Sequence, residues 1–370
     1  MNKPKVLHVF PSFEVGGSQR RLVGYLNQTT ASLDHYIYAM DGNYGASNAV
    51  KNFNKAPFPE KAIPKNNIRS AIGTCRSHLK AFNPDLLVSY NWGSIEWNIA
   101  NIGKNVCPMM HIQDGFADDE HSGEKLTRRL MRQFMYKRCN AVVVPSNQLA
   151  QLAKTSWGIK INKLHYIPNG IDVNAFNHTK DLSLLAPHGV KDKHVIIGTI
   201  ARLKPEKNIG RLIETFSLIE NDFPEAKLVI VGDGIGMAAL KMLAERICVQ
   251  ENVIFTGALE TPENIVPAFD IFALSSDTEQ MPISVLEAMA AGKPVVSTDV
   301  GDVRAMVAQD NAELVSGVDA GILAENIAAL LNDAPRRLSL GNANQTLTRE
   351  RYSLESMIQA YDDLFMSLTN

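Results

Sequence analysis

Two glutamates eight positions apart, Glu279 and Glu287, stand in the run SSDTEQMPISVLEAMAAGKPVVSTDVG at 275–301. An ionised carboxylate presents two acceptor oxygens and can hold neighbouring hydroxyls, which suits a sugar ring or a ribose. The local pattern predicts a strand at 270–274, a tight turn at 278–281 and a helix at 282–291, with Pro282 in a favoured first-turn position and Gly292 ending it. Glu279 then lies beside the helix amino end and Glu287 about a turn and a half inside it, so both can border one groove. The opening of that helix, at Met281, Pro282, Ile283 and Ser284, is where exposed amides favour an anion such as a diphosphate. Two solvated helix charges would read the same way if this pair stood alone.

A second candidate lies in VIIGTIARLKPEKNIGRLIETF, which reads as strand, loop and helix, with Arg202 and Lys207 in the loop and Asn208 as helix cap. Arginine grips phosphate oxygens as a fork and lysine acts as a point charge, so the two can neutralise a departing diphosphate. Near the amino end, Gly16 and Gly17 follow a strand and precede a helix, a turn that lets backbone amides approach a phosphate or an acceptor. It is no Walker loop, because no G-K-[ST] follows. LVIVGDGIGMAAL is no dinucleotide fingerprint either, since Met237 stands where the third glycine would fall.

The elements that must position these residues are strands alternating with amphipathic stretches, the pattern of α/β units with parallel sheets covered on both faces. Strands are expected at 6–10, 86–89, 109–112, 141–144 and 165–167, then at 195–200, 228–231, 253–255, 271–274 and 294–297. Each half has enough strands for its own doubly wound parallel sheet, and two such sheets place a ligand cleft at strand carboxyl ends. The polar run 177–193 reads as the connection, giving one domain at 1–180 and a second at 181–352. A final helix at 353–368 carries apolar residues at helical spacing.

Composition narrows the field. A length of 370 residues fits two or three domains of roughly 150 residues each. The 37 basic and 39 acidic residues leave a net charge of −2, so no global field draws the chain to nucleic acid. The amino terminus is too polar and short of apolar residues for a signal peptide, and no run of eighteen apolar residues occurs, so a cytoplasmic protein is expected. The cysteines 75, 107, 139 and 248 lie far apart without a C-x-x-C pair, which points to no metal site and no disulfide framework.

These segments, joined by the IPNGID run at 167–172, resemble the large family of retaining nucleotide-sugar glycosyltransferases with the two-domain GT-B fold (family four, group 1 type), over essentially the whole chain. The resemblance implies that Glu279 touches the donor sugar, that Glu287 takes the ribose hydroxyls, and that Arg202 and Lys207 bind the diphosphate. It implies that Gly257 and Ala258 in FTGAL border the base, that Gly17 faces the donor, with Gly16 and Asn169 as weaker candidates, and that the last helix crosses back to the first domain. Many family members carry a histidine after the strand at 109–112; here the sequence is PMMHIQDGFADDEHSG, and position aligns Asp114 with it, His111 and His121 being the nearest histidines. An ionised Asp114 accepts a hydrogen bond from a sugar hydroxyl but donates none.

The function implied is transfer from a nucleotide diphosphate sugar, UDP-linked by preference, to a glycan or lipid-linked acceptor hydroxyl, with no cofactor and no metal, in polysaccharide, lipopolysaccharide or glycolipid assembly. A non-catalytic sugar-nucleotide-binding or scaffold subunit of the same fold is the alternative, and a nucleotide-dependent oxidoreductase is disfavoured by the missing glycine fingerprint. The segment KLTRRLMRQFMYKRC at 125–139 has six basic residues, no acid, and apolar Leu126, Leu130, Met131 and Phe134. It fits either peripheral contact with an anionic membrane at its inner face or a helix packed on its own sheet with a solvated basic face.

Overall fold

The structure is a computed structural model, and it describes residues 3–58, 63, 67–103, 105–116, 120, 124–259 and 261–369. The chain divides into two compact units, one formed by residues up to Asn169 together with the final helix from Leu354, the other by Gly170–Ser353.

The first unit is built on strands β1 (Lys5–Phe10), β2 (Asp34–Ala39), β3 (Leu86–Tyr90), β4 (Met109–Ile112), β5 (Ala141–Val144) and β6 (Leu164–Tyr166), all parallel, in the spatial order β2-β1-β3-β4-β5-β6. Its helices are α1 (Gly17–Gln28), α2 (Ile68–Phe82), α3 (Ile95–Ile102), α4 (Leu126–Tyr136) and α5 (Asn147–Thr155), joined by the final helix of the chain, Leu354–Thr369. Alternate residues of β1 face opposite layers, as the strand period requires. Val6 and Phe10 pack with Leu22 and Tyr25 of α1 and with Met357, Tyr361 and Phe365 of the final helix. Leu7 and Val9 pack with Ala71, Cys75 and Leu79 of α2 and with Trp97 of α3.

The second unit contains β7 (Val195–Ile200), β8 (Ala226–Val231), β9 (Val253–Gly257), β10 (Ile271–Leu274), β11 (Val295–Thr298) and β12 (Val315–Ser316), in the order β12-β11-β10-β7-β8-β9. Its helices are α6 (Ile209–Ser217), α7 (Met237–Arg246), α8 (Ile283–Ala290), α9 (Val303–Met306), α10 (Ala320–Leu331) and α11 (Ala334–Arg351), so the final helix is α12. One apolar layer gathers Val285, Leu286 and Met289 of α8, the other Leu212, Ile213 and Phe216 of α6 with Leu323 and Ile327 of α10.

Two expectations are corrected. The division falls after Asn169, not at 180, and the run 177–193 is no free connection: its Leu185 and Val190, like Val173 and Phe176 just before it, are buried in the core of the second unit. Leu182, Leu185 and Val190 stand at irregular intervals, so they show no strand or helix period along the sequence. Strands β2 and β12 were also not anticipated; β2 is a sheet edge whose sequence, DHYIYA, mixes polar and aromatic residues, and β12 has two residues.

Between β1 and α12 lies a buried polar chain. His8 Nδ1 is 2.9 Å from Tyr90 Oη and His8 Nε2 is 2.9 Å from His35 Nδ1, with Phe365 against both rings. Burial pushes His35 down to about 4 and also lowers His8, with the neighbouring His35 adding to the effect. Burial likewise takes His111 of β4 to about 4. The unfolded chain protonates these groups near pH 6.5 while the folded chain resists until about pH 4, so stability is full above pH 6.5 and declines below it. His35 and His111 should each remove about 2 kcal/mol between pH 7.5 and 5. Denaturant titrations across that range in His111→Gln should show a pH slope shallower by about 0.8 kcal/mol per unit; an unchanged slope contradicts this account.

Candidate active site

In the second unit β7 has β10 on one side and β8 on the other, so the order in which the chain lays down its parallel strands reverses between β7 and β10. At such a switch point the loops leaving neighbouring strands diverge and open a crevice beyond their carboxyl ends. The loop after β7 carries Arg202 and Lys207, and the loop after β10 carries Ser275, Ser276, Asp277 and Glu279.

The two loops are fastened together at the mouth of the crevice. Lys207 Nζ donates to Glu279 Oε1 at 2.6 Å, and Ser276 Oγ donates to the same oxygen at 2.8 Å. The Asp277 amide donates to the Glu206 carbonyl at 2.9 Å, while Ser275 Oγ donates to the carbonyls of Lys207 and Asn208. Asn208 sits in the left-handed region at φ 42° and caps α6 by accepting from the Arg211 amide, the capping role expected from sequence. Arg211 then reaches across to the Ser275 carbonyl at 2.7 Å and to Asp277 Oδ1 at 2.6 Å. Arg202 is exposed, and among the described residues its side chain has no hydrogen-bond or ion-pair partner.

Two glycine sets fix these loops from behind. A Cβ on Gly232 would stand 1.8 Å from the Ala201 carbonyl oxygen, and one on Gly234 or Gly236 within 3 Å of the Leu203 carbonyl. The GDGIG segment therefore lets one loop lie directly on another: the Leu203 amide donates to the Asp233 carbonyl and the Gly236 amide to the Leu203 carbonyl. Gly301, at φ 56°, lies against the carbonyls of Gln280 and Glu279, and the Asp302 amide donates to Gln280. Gly257 has a positive φ of 76° with open space where a side chain would be, and Ala258 beside it is exposed.

Helix α8 begins at Ile283 with Pro282 as its cap residue. Ile283 and Ser284 are half-buried and carry first-turn amides that an α-helix leaves without internal partners. The side chain of Met281 is 5% exposed and belongs to the apolar core, so only its backbone is left for a ligand. Glu287 is 3% exposed on the second turn of α8.

The first unit holds a separate polar cluster at its own switch point, between β1 and β3. Gly16 caps α1 and Gly17 is its first residue. Arg21 of α1 forms an ion pair with Asp114 and donates to Asn169 Oδ1 at 3.1 Å. Burial alone would lower the Arg21 guanidinium, and Asp114 beside it more than offsets that and raises it. His111 is wholly buried, with Nδ1 2.8 Å from Ser89 Oγ and Nε2 3.2 Å from Gln113 Oε1, stacked on Tyr136. It is a core residue. His121 lies outside the described residues.

The basic segment keeps Lys125, Arg129, Lys137 and Arg138 exposed but turns Arg132 inward with Met135 and Tyr136. Arg132 is buried among Trp92, Phe116 and Trp157, bonded to Glu120 at 2.8 Å and to Glu124 at 2.6 Å, and Arg128 also pairs with Glu120. Burial would raise the Glu120 carboxyl, but Arg132 and Arg128 outweigh it and hold it below the usual range. Leu126, Leu130, Met131 and Phe134 face outward instead, between 37% and 59% exposed.

Residues 183–347 match the family model described as glycosyl transferases group 1, and residues 15–175 match that described as glycosyltransferase family 4. In order and together they span most of the chain, which belongs to this group of GT-B glycosyltransferases. Among curated relatives, the GDP-mannose-dependent monoacylated alpha-(1-6)-phosphatidylinositol monomannoside mannosyltransferase of Corynebacterium glutamicum is 31% identical over 55% of this chain and 56% of its own. The N-acetyl-alpha-D-glucosaminyl L-malate synthase of Bacillus anthracis is 23% identical over 63% of this chain and 61% of its own. The chain thus spans about three-fifths or less of these relatives' length. Among solved structures, sucrose-phosphate synthase from Thermosynechococcus elongatus aligns over 99% of both chains with a TM-score of 0.80 at 18% identity. HepE from Anabaena, in complex with UDP-glucose, aligns over 98% of this chain and 100% of its own with a TM-score of 0.81, also at 18% identity.

The contact between Gly301 and the Glu279 loop is testable. Gly301→Ala adds a Cβ about 2.5 Å from the Gln280 oxygen, whereas the same change at Gly317 meets nothing within 4 Å. Calorimetry should show Gly301→Ala lowering the unfolding temperature by several degrees, at about 2–4 °C per kcal/mol, with Gly317→Ala near the parent. Equal effects at the two positions refute the role given to Gly301.

Proposed function

We propose that this chain transfers a sugar from a nucleoside diphosphate sugar to an acceptor hydroxyl, with retention at the anomeric carbon and without a metal ion. The observation that carries this reading is the Lys207–Glu279 pair at the switch point of the second unit, with Arg202 exposed in the same loop as Lys207. When the bond from the anomeric carbon to the diphosphate oxygen breaks, positive charge grows on the carbon and negative charge on the leaving group. Arg202, Lys207 and the amides of Ile283 and Ser284 stabilise that anion in place. The acceptor hydroxyl attacks from the face being vacated, forms the new glycosidic bond and gives its proton to a diphosphate oxygen.

In this reading Glu279 accepts from hydroxyls of the donor sugar, Glu287 from those of the ribose, and Gly257 with Ala258 borders the base. A UDP-sugar is the donor we favour, as in the complex of HepE, and a GDP-sugar, as named for the Corynebacterium relative, is its competitor. The acceptor is a glycan or a lipid-linked sugar of a cell-surface polymer. Calorimetry against UDP, GDP and ADP should identify one tight diphosphate. Lys207→Ala and Glu279→Gln should then lower donor turnover by about 100-fold or more while both variants still unfold cooperatively, at a somewhat lower temperature than the parent. Binding without any turnover on a panel of sugars would favour a non-catalytic subunit, and parental turnover in both variants would remove the site as drawn.

Exposed α4 supports a second element, peripheral docking on an anionic membrane. Its outward stripe of Leu126, Leu130, Met131 and Phe134 is flanked by exposed Lys125, Arg129, Lys137 and Arg138, a combination suited to acyl chains beneath anionic headgroups. No helix among the described residues is long and apolar enough to cross a membrane. Flotation with phosphatidylglycerol vesicles should capture the chain, and Leu130→Glu with Phe134→Glu should abolish capture. Equal flotation of the double variant, or of both proteins with neutral vesicles, would exclude this surface. Arg128 and Arg132 are unsuitable for the test, because their charges are spent on Glu120 and Glu124.

A further inference from the structure

The ion pair between Arg21 and Asp114 joins residues 93 positions apart, and the side chains are 4% and 18% exposed. A buried ion pair is a poor source of stability, since apolar residues of the same volume serve as well once desolvation is counted. These residue types therefore need another reason. Around them the structure is unusually committed to one atom group, the carboxylate of Asp114. Arg21 Nη1 donates to Asp114 Oδ1 and is itself held by Asn169 Oδ1 at 3.1 Å. Asn91 holds the other side: its Oδ1 accepts from the Asp114 amide at 2.8 Å, and its Nδ2 lies 3.4 Å from Asp114 Oδ2.

Asn91 does this from a backbone position at φ 56° and ψ −179°, a region almost reserved for glycine. Strain of this kind persists where surrounding structure fixes a residue for a task. Arg21 Nη2 is also buried without a hydrogen-bond partner among the described residues, as is Tyr361 Oη of α12. The cluster lies beyond the carboxyl ends of β1, β3 and β4, at the switch point of the first unit, where ligands bind in open α/β sheets. Arg21 and Asn169 are both below 9% exposed, whereas Asp114 keeps a partly exposed carboxylate.

We propose that Arg21 is a positioning residue that, with Asn91, aims the Asp114 carboxylate at a sugar hydroxyl. This role rests on the transferase reading above. An ionised carboxylate only accepts, so the pair selects a ligand hydroxyl that donates, and Arg21 fixes which oxygen receives it.

The test compares Arg21→Met, Arg21→Lys, Asp114→Asn and the neutral pair Arg21→Met with Asp114→Asn in the full chain. Turnover is read as nucleoside diphosphate released from the donor, alongside calorimetric affinity for the free diphosphate and thermal unfolding. Asp114→Asn and Arg21→Met should each lower kcat by about 10- to 100-fold, since a misplacement near 1 Å costs that much. Donor KM and diphosphate affinity should stay within about threefold of the parent, and Arg21→Lys should recover part of kcat. The neutral pair should regain the thermal stability lost by either single variant, because no buried charge is left uncompensated, yet remain as slow as Asp114→Asn. A neutral pair that turns over at the parental rate, or an Arg21→Met variant with parental kcat, overturns the role while leaving the transferase reading intact. A parent chain that neither binds a nucleoside diphosphate nor turns over a donor overturns both.

Discussion

The second unit depends on one constraint: two loops that leave neighbouring strands in opposite directions must be held at a fixed separation. Lys207 and Glu279 meet at 2.6 Å, with side chains 25% and 10% exposed, and Ser276 shares the same carboxylate oxygen. A partly buried pair in this setting is worth more than a surface bridge and less than its bare Coulomb energy. Its value here is geometric. Any anion that engages Lys207 must share it with Glu279 or displace it, so cation and carboxylate are coupled parts of one site. The bonds of Ser275, Asp277 and Arg211 to the loop after β7 and to α6 keep that coupling local.

Much of this was legible in the sequence, for reasons that differ between residues. Strands β4, β5, β7 and β10 are continuous apolar runs because both faces of each sheet are covered, and the expected bounds agree with those observed. Glu279, Arg202 and Lys207 could be found because each follows such a run, and strand carboxyl ends are where loops face ligands. Arg211 and Asp277 were missed, although Asp277 lies in the same polar run as Glu279: nothing local marks which carboxylate of the run reaches across to the neighbouring loop. The Arg21–Asp114 pair was beyond reach altogether. Its members are 93 residues apart, and only strand order brings them together.

The glycines show how a pattern can locate a position and leave its purpose open. GDGIG has the density of a phosphate-binding turn without its spacing. Its glycines instead remove side chains that would strike Ala201 and Leu203, so the loop bearing Arg202 rests on a backbone surface. The requirement is steric and would be the same with no ligand near. Gly301 acts likewise on the carbonyls of Glu279 and Gln280. Catalytic geometry on loops needs such supports, because a loop has no ladder of its own to fix it.

Helix α4 carries the same lesson in the opposite direction. Six basic residues without an acid suggest a solvated charged face, and four of them are exposed; the acids that draw Arg132 and Arg128 inward, Glu120 and Glu124, precede the segment in sequence. A guanidinium taken out of water is costly unless it is paired and its flat faces are covered. Arg132 meets both conditions through two carboxylates and three aromatic rings, and it is buried together with Met135 and Tyr136. With that face inward, the apolar stripe and the remaining basic residues Lys125, Arg129, Lys137 and Arg138 lie outside. Four large apolar side chains on one helical face lose free energy in water, at about 25 cal/mol for each Å² left exposed. The buried ion cluster thus sets the orientation, and the outward stripe is its consequence rather than a failure of packing.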